Sequence, residues 1–479
     1  MLLMVAPGSR PGYHVAPEVG WINDPNGPIE WDGRFHLFFQ RNPLAAAWAP
    51  RVHWGHAVSD DLCAWSVWPD ALEPSREGPD AGGCWSGCVV DDAGTPTAVY
   101  SGLASGATAP MTVCLARGDA TLGTWRKDSR NPVIAGPPAG AALTAFRDPF
   151  VWREDGRWRM VIGAGMPDGG GAALAYSSPG LLGWEPEGVL CRAAEAGIAT
   201  GPIWECPQYF RLGDRRVLLI SVWDGEPSHA VALVGSESGG RFTVGRAVRF
   251  DHGADCYAPA TMLDSRGRRL AWAWAWEAHG REAARAGESA GALTLPRVLT
   301  LASDGTLSVA PAPELRGLRR ALESAGDVVL GVFEPRTRDE QVEILATIDP
   351  GSAASIALRV RRSPDGEEET VIALRRAARA LVLDRSRASL DRVARGGAHG
   401  GHLPLARGEL LRLHVFVDRS LVEVYANERL TITERVYPTR EDSTGIMIDA
   451  TGGAARLLEL RIWTVGAPAA VAAPPAPPA

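Results

Sequence analysis

The chain has 479 residues, 46% hydrophobic and 22% charged, with a formal charge of −7 and a single lysine, Lys127. A globular protein of that length exceeds what one core usually holds, so two domains are expected, and the acidic balance argues against a nucleic-acid surface. One lysine, in the run TWRKDSR, leaves neither a Walker-type phosphate loop nor a Schiff-base mechanism available.

The first residues, MLLMVAPGSRP, hold a short apolar run without a basic flank or an h-region of normal length, so a cytoplasmic protein without a secretory signal is expected. No stretch reaches about 18 uninterrupted apolar residues, and no membrane partner is expected. From Asp24 a unit begins that recurs in degenerate form. It reads DPNGPIEWDGRFHLFFQ, then SGCVVDDAGTPTAVYSG from Ser86, DPFVWREDGRWRMVIGAG from Asp148, CPQYFRLGDRRVLLISVW from Cys206 and APATMLDSRGRRLAWAWAW from Ala258. The starts are 62, 62, 58 and 52 residues apart. Each interval has room for about four strands with their turns, the length of one propeller blade. Five blades follow, and equivalent repeat positions map to equivalent places around the axis. Asp24, Asp148 and Glu205, which stands one residue before its repeat, should therefore converge at one mouth of the central channel.

Inside the unit, Phe35, Leu37 and Phe39 alternate with His36, Phe38 and Gln40, the period of a strand. Turn pairs such as Asp32-Gly33 and Asp155-Gly156 then predict a repeated hairpin. Cys84 and Cys88 on one strand would lie roughly 13 Å apart, too far for a bridge. The seven cysteines are odd in number and hold no CxxC pair, so they read as core thiols. His53 and His56, three apart on a strand, point to opposite faces and read as structural; no metal and no cofactor is called for.

The pattern breaks at 309–323, VAPAPELRGLRRALE, where Pro311 and Pro313 precede a predicted short amphipathic helix. Beyond it, eight strand-like runs from VVLGVF to ARLLELRIW recur at the intervals of two packed antiparallel sheets. The predicted fold is all-β: a five-bladed β-propeller over 1–308, a linker with a short helix over 309–326, a β-sandwich over 327–466 and a disordered Ala/Pro tail over 467–479.

Three carboxylates carry the chemistry. Asp24 in GWINDPNGP reads alone as a turn residue, but it opens a strand and has counterparts in the repeat frame. Asp148 follows Arg147 in FRDPF; bracketed by Phe146 and Phe150, the pair is expected to be buried, with the arginine holding the carboxylate ionised. Glu205 in IWECPQYF is a single acid among apolar and aromatic residues. Either it points to solvent from a strand edge, or burial raises its pKa, which suits a general acid. Two carboxyls flanking a scissile bond are the equipment of glycoside hydrolysis. Aromatic faces stack on sugars; of the seventeen tryptophans most should be core, with Trp21, Trp48, Trp85 and Trp274 in the cleft.

WINDPNG, FRDPF and WECPQYF resemble the three signature motifs of glycoside hydrolase family 32, the invertases, inulinases and levanases, and HWGHAVSDDLCAW, WSGCVV, DCYAPAT, GALTLPR and DRSLVEVYAN extend the likeness from 13 to about 437. The resemblance implies Asp24 as nucleophile toward a terminal fructosyl unit, Glu205 as acid and then base, and Asp148 as stabiliser of the transition state. It implies a fructose subsite of Asn23, Gln40, Trp48, Ser86, Arg147, Cys206 and Trp274. It also implies retention, with the Asp24 and Glu205 carboxyls about 5–5.5 Å apart. Departures from the family pattern, Arg41, the run 49–52, Trp85, Cys256 and Ala260, lie around the rim and bear on the leaving group; Arg41 suggests either a phosphorylated sugar or a surface arginine. The small carbohydrate partner is sucrose or a short fructan. A fructosyltransferase using the same intermediate, or a sugar-binding propeller without catalysis, are the alternatives.

Overall fold

The computed structural model describes residues 9–466 apart from 107–110, 278–288, 303 and 395. The Ala/Pro tail therefore lies outside the described residues. The predicted hairpin is present: Gly20–Trp31 pairs antiparallel with Arg34–Asn42. Its two turn residues, Asp32 and Gly33, have φ of 49° and 74°, as a two-residue turn between right-twisted strands requires. Asp155 and Gly156 repeat that geometry in the third unit.

Each unit continues into a four-stranded meander. The inner strands Gly20–Trp31, Gly83–Asp92, Ala145–Glu154, Ile203–Leu212 and Tyr257–Leu263 each open a separate sheet. Each inner strand touches the next, and the last returns to the first. Ser289–Ala290 pairs in parallel with Gly20 and Trp21, clasping the end of this module to its beginning. The alternation in Arg34–Asn42 does not divide inside from outside, because both faces are buried. Leu37 and Phe39 pack with Met262 and Trp272 of the last sheet, while Phe38 packs with Trp54 and Tyr100 toward the second. A sheet stacked between two neighbours has two apolar faces. Trp54, Trp204 and Trp272 are among the largest fully buried side chains. At about 25 cal/mol per Å² and 150–250 Å² per aromatic ring, each contributes roughly 4–6 kcal/mol of gross hydrophobic stabilisation.

The helix expected within 309–323 is not there. The segment forms a six-residue 3-10 helix, Pro313–Leu318, and then a strand, Arg319–Ala325, paired with Ala455–Val465. Tertiary pairing at a sheet edge outweighs the local helical preference, and the second module starts before 327. That module packs a sheet containing Gln341–Asp349 and Leu411–Asp418 on another containing Ser355–Arg362 and Gly445–Thr451, with a continuous aliphatic core between them. The chain is thus a β-propeller followed by a β-sandwich.

The modules are joined by apolar contact and by buried charge. Phe210, Val217 and Leu299 pack against Phe416, Tyr425 and Trp463. His14 lies between Asp418 (Nδ1, 2.7 Å) and Glu423 (Nε2, 3.1 Å), and Arg297 Nη2 reaches Glu423 at 2.8 Å. Asp418 also accepts the N–H groups of Gly12, Tyr13 and His14 at 2.7, 2.8 and 3.1 Å. Truncating Asp418 to alanine strands these donors inside the interface, and a loss of about 3–5 kcal/mol is expected in urea denaturation. Burial opposes the charge on His14, but hydrogen bonds and charge from Asp418 and Glu423 outweigh it and raise its pKa above 6.5. A raised histidine stabilises fully below its unfolded value and loses that contribution as pH climbs through the folded value. The melting temperature should therefore fall from neutral toward alkaline pH, with a flatter slope in His14→Gln.

Candidate active site

Each of the inner strands is interrupted by a register shift at the same point of the repeat. The shifts fall between Ile22 and Pro25, Cys84 and Gly87, Arg147 and Phe150, Glu205 and Gln208, and Tyr257 and Ala260. A bulge inserts one residue and re-aims the side chains beside it. Asp148, Cys206 and Ala258 take positive φ there, 66°, 45° and 49°, and each precedes a proline, which a bulge accepts because no ladder hydrogen bond is lost. Holding a non-glycine residue in that region costs about 1 kcal/mol or more. The cost recurs where polar groups turn toward the axis.

The cavity they surround has a volume of ≈ 510 Å³ and is lined by Asp24, Asp148 and Glu205 together with Asn23, Gln40, Arg147 and the tryptophans 21, 48, 85 and 274. Ser86 and Cys206 reach it through Asp24: the Ser86 hydroxyl donates to Asp24 Oδ2 at 2.7 Å, and the Cys206 thiol stands 3.6 Å from that oxygen and 3.6 Å from Asp148 Oδ2. Asn23 and Gln40 add bonds to Asp24 at 3.2 and 3.4 Å and bond each other at 2.9 Å. Every residue expected at the site from the sequence meets in this one place. Trp48, 48% exposed, stands edge-on to Trp85, and Trp21 edge-on to Trp274.

Glu205 is not the isolated acid its sequence context suggests. Arg147 donates to its Oε1 from Nε and Nη2 at 2.8 and 2.7 Å, and the Tyr257 hydroxyl donates to Oε2 at 2.5 Å. Arg147 thus bonds Glu205 rather than its chain neighbour Asp148, because consecutive strand residues point apart and the bulge turns the arginine toward the next sheet. Burial and the nearby Glu205 push Asp24 up to about 6. Burial, Glu205 and Asp24 push Asp148 up to about 7 against the pull of Arg147. Burial and the surrounding carboxylates hold the Cys206 thiol protonated, as a donor. Asp24 and Asp148 thus hold their protons to higher pH than ordinary carboxyls because they are buried close to further negative charge. Asp148 Oδ1 and Trp274 Nε1 are buried without hydrogen-bond partners among the described residues, an acceptor and a donor open to a ligand.

Tyr257 was missed in the sequence although the signal existed. It stands one residue before the last repeat, as Glu205 does before the fourth. Trp223, Glu226, Trp276 and Glu277 also line the cavity; Trp223 and Trp276 are the last residues of the fourth and fifth repeats, and Glu226 and Glu277 follow just beyond them. The two histidines separate as expected: His56 stacks on Phe38 inside, and His53 bonds Asp70 at 3.0 Å. Arg41 bonds the other oxygen of Asp70 at 2.7 Å.

Three carboxyls converging in a sugar-sized, tryptophan-lined cavity are the equipment of a glycosidase. Residues 14–311 match the model described as glycosyl hydrolases family 32 N-terminal domain, and residues 316–464 the glycosyl hydrolases family 32 C terminal. The chain belongs to glycosyl hydrolases family 32. It is 33% identical over 474 residues to a sucrose-6-phosphate hydrolase of Escherichia coli, covering 95% of each chain. It is 34% identical over 478 residues to a raffinose invertase of Escherichia coli, covering 95% of this chain and 94% of that one. A fructan 1-exohydrolase IIa from Cichorium intybus superposes with a TM-score of 0.88 at 26% identity, over 97% of this chain and 98% of that one.

Proposed function

We propose that this enzyme releases terminal β-D-fructosyl units from sucrose and short fructans with retention, through a covalent fructosyl-enzyme formed in a five-bladed propeller. The observation that carries the reading is the convergence of Asp24, Asp148 and Glu205 on one cavity. Asp24, held by Ser86 and Asn23, attacks the anomeric carbon. Glu205 protonates the departing glycosidic oxygen and then deprotonates the incoming water. The first of these steps requires a proton on Glu205, and the Tyr257 hydroxyl, which donates to Oε2 at 2.5 Å, then turns to accept. Asp148 Oδ1 takes a fructose hydroxyl and stabilises charge developing at the ring.

Relatives are named for both sucrose 6-phosphate and raffinose. The one cation on the cavity wall among the described residues is Arg147, and Glu205 already engages it; Arg41 is spent on Asp70. That wall favours unphosphorylated sugars. The segment 278–288, with Arg281 and Arg285, lies outside the described residues. A product profile on sucrose, sucrose 6-phosphate, raffinose, inulin and levan, at low and high sucrose, tests the reading: free fructose at both concentrations supports hydrolysis, transfer products at both support the transferase, and no fructose from any substrate overturns it.

Because protonation removes the nucleophile, the acid limb of kcat/KM on sucrose should have its midpoint near the raised Asp24 value of about 6, two units above an ordinary aspartate. A pH–rate profile reads that limb.

A further inference from the structure

Glu277 follows the strand Arg269–Ala275 and lines the same cavity while only 1% exposed. Tyr257 pairs with Trp274 across the sheet, so Trp274 stands level with the Glu205 contact. Glu277 lies three residues beyond Trp274, past the end of the strand at Ala275, and shares the cavity wall with Trp48, Met111 and Glu226. With the fructosyl ring held at the three acids, this wall is where we infer that the leaving sugar lies. Its two oxygens are treated differently. Oε1 accepts the Gly291 N–H at 2.9 Å and faces Arg435 Nη2 at 3.3 Å. Oε2 is buried with no hydrogen-bond partner among the described residues.

Both holders come from elsewhere in the fold. Arg435 ends the sandwich strand Leu430–Arg435 and is itself anchored by its backbone N–H on Asp255 at 2.7 Å. Gly291 has φ of 83°, and a Cβ there would meet the Ile22 carbonyl oxygen at 1.9 Å, one residue before Asn23. Glu277 is therefore tied at once to the nucleophile's strand and to the second module. A carboxylate built this firmly, with one acceptor left over at the wall of a sugar-sized cavity, is a recognition group in waiting.

We propose that Glu277 is a specificity residue whose free oxygen accepts a hydroxyl of the leaving sugar, and that Arg435 is the positioning residue by which the sandwich aims it. The inference rests on the fructosidase reading of the cavity. In Glu277→Gln the amide oxygen stays with Gly291 and Arg435, so the free corner becomes a neutral donor; a charge-assisted acceptor is lost with little change of shape.

The test compares sucrose with p-nitrophenyl β-D-fructofuranoside, which lacks leaving-side sugar hydroxyls. Glu277→Gln should lower kcat/KM for sucrose about tenfold, mainly through KM, and leave the aryl fructoside within about twofold. Arg435→Met should shift the ratio in the same direction. In the wild-type enzyme, at least one sucrose analogue lacking a single glucosyl hydroxyl should lose about tenfold, a penalty that Glu277→Gln no longer shows. Equal losses on both substrates make Glu277 structural and overturn the proposal. So does a flat deoxy series in the wild type, a readout that needs no variant to fold. In both cases turnover of the aryl fructoside keeps the fructosidase reading; no fructose from either substrate ends both.

Discussion

Asp24→Asn should abolish fructose release, by about 10⁴-fold or more in kcat/KM, while melting no lower than the parent. The size follows from the role: losing a nucleophile removes the covalent route and leaves only binding and electrostatic help. The unchanged or higher melting temperature follows from the site. Asp24 is pushed up by burial and by Glu205, so its charge is a burden on the fold. Asparagine still presents an oxygen to the Ser86 hydroxyl, which donates to Asp24 Oδ2 at 2.7 Å. Near-native turnover with intact circular dichroism would remove Asp24 from the mechanism. A melting temperature lowered by several degrees would mean that the side chain holds the propeller together.

Glu205→Gln should separate substrates by leaving group. On sucrose, whose glucose departs as a poor leaving group, kcat/KM should fall about 10³-fold, within the range for removing a general acid. On p-nitrophenyl β-D-fructofuranoside it should fall about tenfold or less, because nitrophenolate leaves without a proton. Water activation is also lost, so the fructosyl-enzyme should accumulate and nitrophenolate should appear as a burst. Equal losses on both substrates would exclude Glu205 as the acid. Arg147 is left facing a neutral amide in this variant, and part of the loss on either substrate comes from that.

The sequence frame brought the three acids together because they occupy the same or the adjacent position in a repeat, and a repeat fixes angle and height around an axis without any knowledge of contacts. Tyr257 obeys the same frame and escaped only because its side chain is not an acid. The partner of Arg147 was not legible. Chain adjacency pointed to Asp148, while the bulge geometry that delivers it to Glu205 appears only when sheets are stacked. Glu277 and Arg435 were invisible for a related reason, since they stand 158 positions apart in different modules. The strand Arg319–Ala325 was read as helical because its alternation is masked by arginines, and only the free edge at Ala455–Val465 decides it.

The clasp between Ser289–Ala290 and Gly20–Trp21 also sets a timetable for biosynthesis. At about 5–20 residues per second, translation needs roughly 13–53 s to travel from Asp24 to Ala290. For most of that interval a nascent chain carries the first hairpin without its last-sheet neighbour, and for all of it without its seal. The Arg297 guanidinium waits longer still, until Glu423 emerges from the ribosome. Chains that stop short of Ala290 therefore lack the clasp, and the buried Arg297–Glu423 pair forms only after both modules have been made.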